Sequence, residues 1–135
     1  MSGAAEARDR NVLLIEDNEQ NRYLLTFLLE RSGYTVQAAE DGPRGIALAR
    51  RAPPAVILLD IQLPGMDGHA VARALRQDAA LGATPIIAVT SYAMPGDRDK
   101  ALAAGCSGYL EKPIDPATFV SDLERLVAAA RAVTT

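Results

Sequence analysis

AVILLDIQLPGMDG, residues 55–68, decides the fold. Five apolar residues, Ala55 to Leu59, run straight into Asp60, and a turn rich in Gly and Pro follows. A short apolar run bounded by turn residues reads as a strand buried on both faces, which is how strands of a parallel sheet look. Burying the run is favourable. An ionised carboxylate at its tip is costly unless something pairs with it. The rest of the chain has to supply both the neighbouring strands and the partner of Asp60.

Outward from this stretch, short apolar runs alternate with longer amphipathic ones. VLLI (12–15), YTVQAA (34–39), PIIAV (85–89) and GYL (108–110) read as further strands. The second is expected at an edge, because Thr35 and Gln37 alternate with apolar neighbours. NRYLLTFLLERSG (21–33) reads as the first helix, with Leu24, Phe27 and Leu28 on one face and Gly33 as its stop. The second helix starts in DGPRGIALARR (41–51) with Pro43 in its first turn, and the third is DGHAVARALRQD (67–78), capped by Asp67. GDRDKALAAG (96–105) gives a polar fourth helix. DPATFVSDLERLVAAAR (115–131) gives the fifth, with Asp115 expected as cap, Pro116 at the first helical position and a Phe119, Val120, Leu123, Leu126, Val127 stripe.

Five strands alternating with five helices imply an α/β fold, a doubly wound parallel sheet covered on both faces. Right-handed crossovers leave few topologies, and the flavodoxin-like order 2-1-3-4-5 fits 135 residues in one domain. Ligands of such sheets sit beyond the carboxyl ends of the strands, at the switch point between strands 1 and 3. Glu16 and Asp17 follow strand 1, Asp60 strand 3, Thr90 and Ser91 strand 4, and Glu111, Lys112 and Pro113 strand 5. Glu16, Asp17 and Asp60 are therefore expected to crowd one pocket. Three carboxylates in a small space repel one another, and a hard divalent cation relieves that. Mg²⁺ commonly binds one or two carboxylates plus a phosphate. A metal and a lysine would balance Asp60, and would equally balance a phosphoryl group placed on it.

LLIEDN, VILLDIQLPGMDG, IIAVTSYAM and YLEKPI, in this order and spacing, resemble the receiver domain of two-component response regulators. The likeness is greatest to the single-domain members related to DivK, through DIQLP, AVT-x-x-AM-x-GD and KPI. It covers nearly the whole chain, with 11–131 as the receiver and 1–10 and 132–135 as short tails. The resemblance implies a module of phosphorelay signal transduction, in which Asp60 accepts a phosphoryl group as an acyl phosphate. It implies that Asp17 and Asp60 bind Mg²⁺ directly, Glu16 through water, and the Gln62 backbone carbonyl as a further ligand. Lys112 would pair with Asp60 and then with a phosphoryl oxygen, held by a cis Lys112–Pro113 bond, and Thr90 would bond another oxygen. Thr90 and Tyr109 would form the switch, changing a partner-binding face made by helix 4, strand 5 and helix 5. Gln62 and Tyr92 would tune the lifetime of the acyl phosphate, with Tyr92 screening it. The donor would be a phosphohistidine on a histidine kinase or phosphotransfer protein, and the output a downstream protein target. On this reading the module is no enzyme beyond its own phosphotransfer and dephosphorylation.

Two other classes stay open on the residues alone. An Asp-nucleophile phosphohydrolase on a similar sheet places a second acid two residues past its nucleophile, and Gln62 holds that slot. A phosphate-independent pseudo-receiver would lack an acidic position or the lysine, and none is missing. The formal net charge is −3, which gives no basic stripe for nucleic acid. No apolar run reaches the length of a membrane span, and MSGAAEARDR (1–10) is no signal peptide. With a single cysteine, Cys106, these features point to the cytosol. Cys106 is expected to pack as a small hydrophobe, Met66 to pack in its loop, and His69 to lie on the surface outside the pocket.

Overall fold

The computed structural model describes residues 10–91 and 95–134. Five parallel strands, β1 (Asn11–Ile15), β2 (Thr35–Ala39), β3 (Val56–Asp60), β4 (Ile86–Thr90) and β5 (Gly108–Glu111), form one sheet in the order β2-β1-β3-β4-β5. The helices are α1 (Glu19–Arg31), α2 (Gly42–Arg51), α3 (Gly68–Gln77), α4 (Asp97–Ala103) and α5 (Phe119–Thr134). This is the doubly wound, flavodoxin-like arrangement expected from the alternation of runs.

Period-two alternation divides the core into two halves. Leu13, Ile15, Ile57, Leu59, Ile86 and Ala88 pack against Ile46 and Ala49 of α2, Val71 and Leu75 of α3 and Ala101 of α4. Val12, Leu14, Val56, Leu58, Ile87 and Val89 pack against Leu25 and Leu29 of α1 and Phe119 and Leu123 of α5. β1, β3 and β4 are central, so their residues are buried on both sides and both files are apolar up to the polar strand ends Asp60 and Thr90. β2 is an edge, as expected, with Thr35 and Gln37 exposed; Ala38, on the other face, is exposed too.

The helix ends follow their side chains. Asn18 caps α1, accepting from the Asn21 N–H at 2.9 Å, and Gly33 ends it at φ +93°, with the Tyr34 N–H reaching the Leu29 carbonyl at 3.0 Å. Asp41 and Asp67 cap α2 and α3 through the Arg44 and Ala70 amides. The start of α5 differs from expectation. Asp115 caps as expected, its carboxylate accepting the Ala117 N–H (2.9 Å) and its carbonyl the Phe119 N–H (3.0 Å), but 116–118 form a turn and the regular helix starts only at Phe119. A 3₁₀ turn, Ala79–Leu81, follows α3 and had no counterpart in the sequence reading. There the Arg76 guanidinium binds the carbonyls of Gly105 (2.8 Å), Leu81 (2.9 Å) and Thr84 (2.7 Å) and the Ser107 hydroxyl (3.0 Å), tying α3 to the starts of β4 and β5. Cys106 lies buried beside it, and burial pushes its thiol up to about 11. Among the described residues no helix is long and apolar enough to cross a membrane.

Candidate functional site

The carboxyl ends of β1, β3, β4 and β5 bring the expected residues to one rim of the sheet. Glu16, directly after β1, is fully buried, and Asp60, the last residue of β3, is 3% exposed. Asp17 is exposed beside them, and one carboxylate oxygen from each of the three lies within 4.8 Å of the others. The Lys112 ammonium reaches in from the end of β5, 3.0 Å from Glu16 Oε1 and 3.4 Å from Asp60 Oδ2. The partner of Asp60 sought from the sequence is thus Lys112. Its second oxygen, Oδ1, accepts the Gln62 N–H at 2.9 Å.

Local sequence explains this placement. The Lys112–Pro113 bond is cis, and the Lys112 N–H donates to the Thr90 carbonyl at 2.7 Å, which joins the ends of β4 and β5. Gly68, which opens α3, lies on the Asp60–Ile61 backbone. A Cβ there would press on the Ile61 Cα and come 2.7 Å from the Asp60 carbonyl oxygen. The glycine of GMDG therefore lets α3 start directly against the strand that carries Asp60.

The electrostatics are those of a cluster with excess negative charge. Burial, reinforced by the Asp60 carboxylate and opposed by Lys112, pushes Glu16 up to about 7. Burial would lower Lys112, but Glu16 and Asp60 outweigh it and raise its pKa. One ammonium does not neutralise three carboxylates. A set of hard oxygen donors this close together, with its buried member already pulled towards protonation, suits a hard divalent cation.

Thr90 ends β4 at 4% exposure and lines a cavity of about 160 Å³ with Ile61, Gln62, His69, Ala101 and Tyr109. Tyr109 is half-buried there, and burial, with Glu111 and Asp97 nearby, raises its phenol. His69 departs from expectation. It is half-buried against this cavity, because Gly68 draws the first turn of α3 down onto the strand end. The Gln62 side-chain oxygen accepts the Ser91 N–H at 3.2 Å and so bridges the β3 and β4 loops. Tyr92 lies outside the described residues. Met66 packs on the core, as expected of a loop residue.

Residues 12–124 match the response regulator receiver domain family. The chain belongs to the response regulator receiver family. As such it is a module of phosphorelay signalling. This receiver is 39% identical over 115 residues to the polar-differentiation response regulator DivK of Brucella ovis, covering 85% of this chain and 94% of that protein. Its fold matches the chemotaxis protein CheY4 of Vibrio cholerae with a TM-score of 0.82 at 32% identity, over 86% of this chain and 97% of that one. It also matches the receiver domain of a sensor histidine kinase from Pseudomonas aeruginosa, solved with a magnesium ion coordinated in the active site cleft. That match has a TM-score of 0.81 at 35% identity and covers 88% of this receiver and 98% of that chain.

The sequence reading passed over one residue that touches the acidic turn. Arg22 of α1 donates to the carbonyl oxygens of Glu16 (3.0 Å) and Asp17 (3.3 Å). A signal was present, because a cation near a helix N-terminus opposes the helix dipole and asks for a specific acceptor.

Proposed function

We propose that Asp60 is the phosphoacceptor of this receiver and that its donor is a phosphohistidine on a histidine kinase or phosphotransfer protein. The observation that carries the proposal is the Lys112 ammonium, 3.4 Å from the nearly buried Asp60 carboxylate at the strand rim. An Asp60 oxygen attacks phosphorus, the P–O bond forms as the P–N bond breaks, and the histidine nitrogen keeps the electron pair. Asp17 and Asp60 would hold Mg²⁺ directly, Glu16 through water, and the Gln62 carbonyl would add a ligand. Bound there, the ion offsets charge on the phosphoryl oxygens. Lys112 offsets charge from a second side, and the Thr90 hydroxyl bonds a third oxygen. Gln62 and Tyr92 govern how long the acyl phosphate lasts by controlling the approach of water. The module promotes this transfer and its own hydrolysis and acts on no separate substrate.

The partner surfaces follow from what surrounds the rim. A groove of about 490 Å³ lined by Asn21, Leu24, Leu25, Pro113 and Ile114 opens beside Lys112, and α1 also exposes Tyr23 and Phe27. Apolar side chains at a rim that a phosphohistidine must reach suit the donor protein. On the other side, Tyr109 stands between the small cavity at Thr90 and a wider groove lined by Leu102 of α4, Glu111 of β5 and Leu126 of α5. When Thr90 moves to the phosphoryl group, Tyr109 turns into the space it leaves, and the face of α4, β5 and α5 changes for a downstream target.

Incubation with acetyl phosphate or phosphoramidate tests the assignment. One phosphate per chain, dependent on Mg²⁺ and absent from a folded Asp60→Asn variant, is expected. Uptake by that variant on another side chain overturns it, and steady turnover of varied phosphomonoesters would mark a hydrolase.

A further inference from the structure

We infer that Arg22 is a positioning residue for the cation site, fixing the Glu16–Asp17 turn from behind through its two backbone carbonyls. The inference rests on the Mg²⁺ reading of the acidic cluster. Arg22 sits at the fourth position of α1, where a positive charge works against the helix dipole. Its side chain is nonetheless folded in, 19% exposed, with one nitrogen 3.0 Å from the Glu16 carbonyl oxygen and 3.3 Å from that of Asp17. The other terminal nitrogen lies 3.9 Å from Glu40 Oε1, a long contact on an exposed partner. A single guanidinium nitrogen therefore makes both short contacts, on the backbone of the two residues that bring two of the three carboxylates.

The choice of acceptor matters. Mutual repulsion among Glu16, Asp17 and Asp60 tends to open the turn. An anchor that bonded the carboxylates would hold it shut but occupy the oxygens a cation needs. Arg22 takes the carbonyls, and the Glu16 N–H is held separately by the Ala39 carbonyl at 3.0 Å. The backbone is pinned on both sides, and Arg22 itself takes none of the carboxylate oxygens; Glu16 Oε2 accepts the Asn18 N–H at 3.1 Å. Supports of this kind behind metal-binding side chains typically matter 10- to 100-fold in affinity.

The sign of the effect separates positioning from plain charge. A guanidinium near a cation site repels Mg²⁺, so removing it would tighten binding if charge alone mattered. Removing a positioning contact weakens binding. Titration calorimetry with Mg²⁺ is expected to show a dissociation constant for Arg22→Met raised by about tenfold, with Arg22→Lys raised less, since an ammonium can meet the same two carbonyls but on a shorter stem that does not place it at the same point. The Mg²⁺ concentration for half-maximal phosphoramidate labelling rises in step, while the rate at saturating Mg²⁺ stays within about twofold of wild type. Glu40→Gln, which loses the long Arg22 contact and an exposed pair with Arg44 but neither backbone contact, keeps the wild-type Mg²⁺ affinity. Unchanged or tighter Mg²⁺ binding by Arg22→Met overturns the inference, as does a labelling rate that saturating Mg²⁺ does not restore. If Arg22→Met does not fold, wild-type affinity in Arg22→Lys overturns it equally. A wild-type protein that shows no Mg²⁺ binding removes the cation reading itself, an outcome distinct from a failure of Arg22 alone.

Discussion

The Lys112 ammonium lies closer to Glu16, at 3.0 Å, than to Asp60, at 3.4 Å. In this arrangement the lysine is shared: it hydrogen-bonds Asp60 and forms a shorter ion pair with the buried Glu16. Lys112→Met removes the only cation recorded between the two carboxylates among the described residues, yet leaves all three acidic side chains. Mg²⁺ binding is expected to persist or tighten, because a competitor for Glu16 is gone. Labelling by phosphoramidate is expected to fall by about 100-fold or more, the usual effect of losing one donor to a developing anion. Parallel calorimetry and labelling kinetics check both halves.

Glu16 gives the metal-free protein a characteristic pH response. Its pKa, raised by burial and by Asp60, is about 7 when folded against 4.5 for the free side chain. The folded state thus holds the proton more tightly. The stability Glu16 contributes is fully present below pH 4.5 and is lost as pH rises through about 7. Urea unfolding in chelator at pH 5 and pH 8 is expected to show wild type losing stability relative to Glu16→Gln, by on the order of 1 kcal/mol. Added Mg²⁺ at pH 8 should restore the wild type and leave the variant less affected.

Gly68→Ala puts a methyl group onto the Ile61 Cα and near the Asp60 carbonyl oxygen. Backbone cannot give way as a flexible side chain can. A loss of about 1–3 kcal/mol in unfolding free energy is expected. Slower labelling should accompany it, since the strand end that moves is the one carrying Asp60. Denaturant unfolding and phosphoramidate kinetics measure the two effects.

Arg76→Met leaves the carbonyls of Gly105, Leu81 and Thr84 and the Ser107 hydroxyl without their shared donor. Leu81 and Ser107 keep the Thr84 and Ile86 N–H groups, so the Gly105 and Thr84 carbonyls lose their recorded donor, at an expected cost of about 2–4 kcal/mol. Cys106, buried in native protein with its thiol pushed up to about 11, should then react with a thiol reagent faster in the variant than in wild type. The reaction rate at pH 7.5 is the measurement.

The strands were legible because their signal is local. A run such as Val56–Leu59 announces burial on both faces without reference to any other part of the chain, and the strand ends then locate the site. Asp67 was equally legible, as it caps the helix that follows it. The start of α5 was not, because Asp115 followed by Pro116 can close either a helix or a free-standing turn, and the choice depends on how the β5 end enters it. Arg22 and Arg76 escaped for a different reason. Long guanidinium side chains find carbonyls set by the fold, and carbonyl positions leave no trace in side-chain periodicity. His69 was misplaced because the contact that pulls it inward belongs to its neighbour, Gly68.

The two files of the sheet end on different chemistry. Asp60 continues the Val56–Leu58 file that faces α1 and α5, whereas Thr90 continues the Ile86–Ala88 file that faces α3 and α4. A group bonded by both must straddle the edge where the files part. The two side chains are carried on opposite faces of one sheet, so only its outermost edge lies within reach of both.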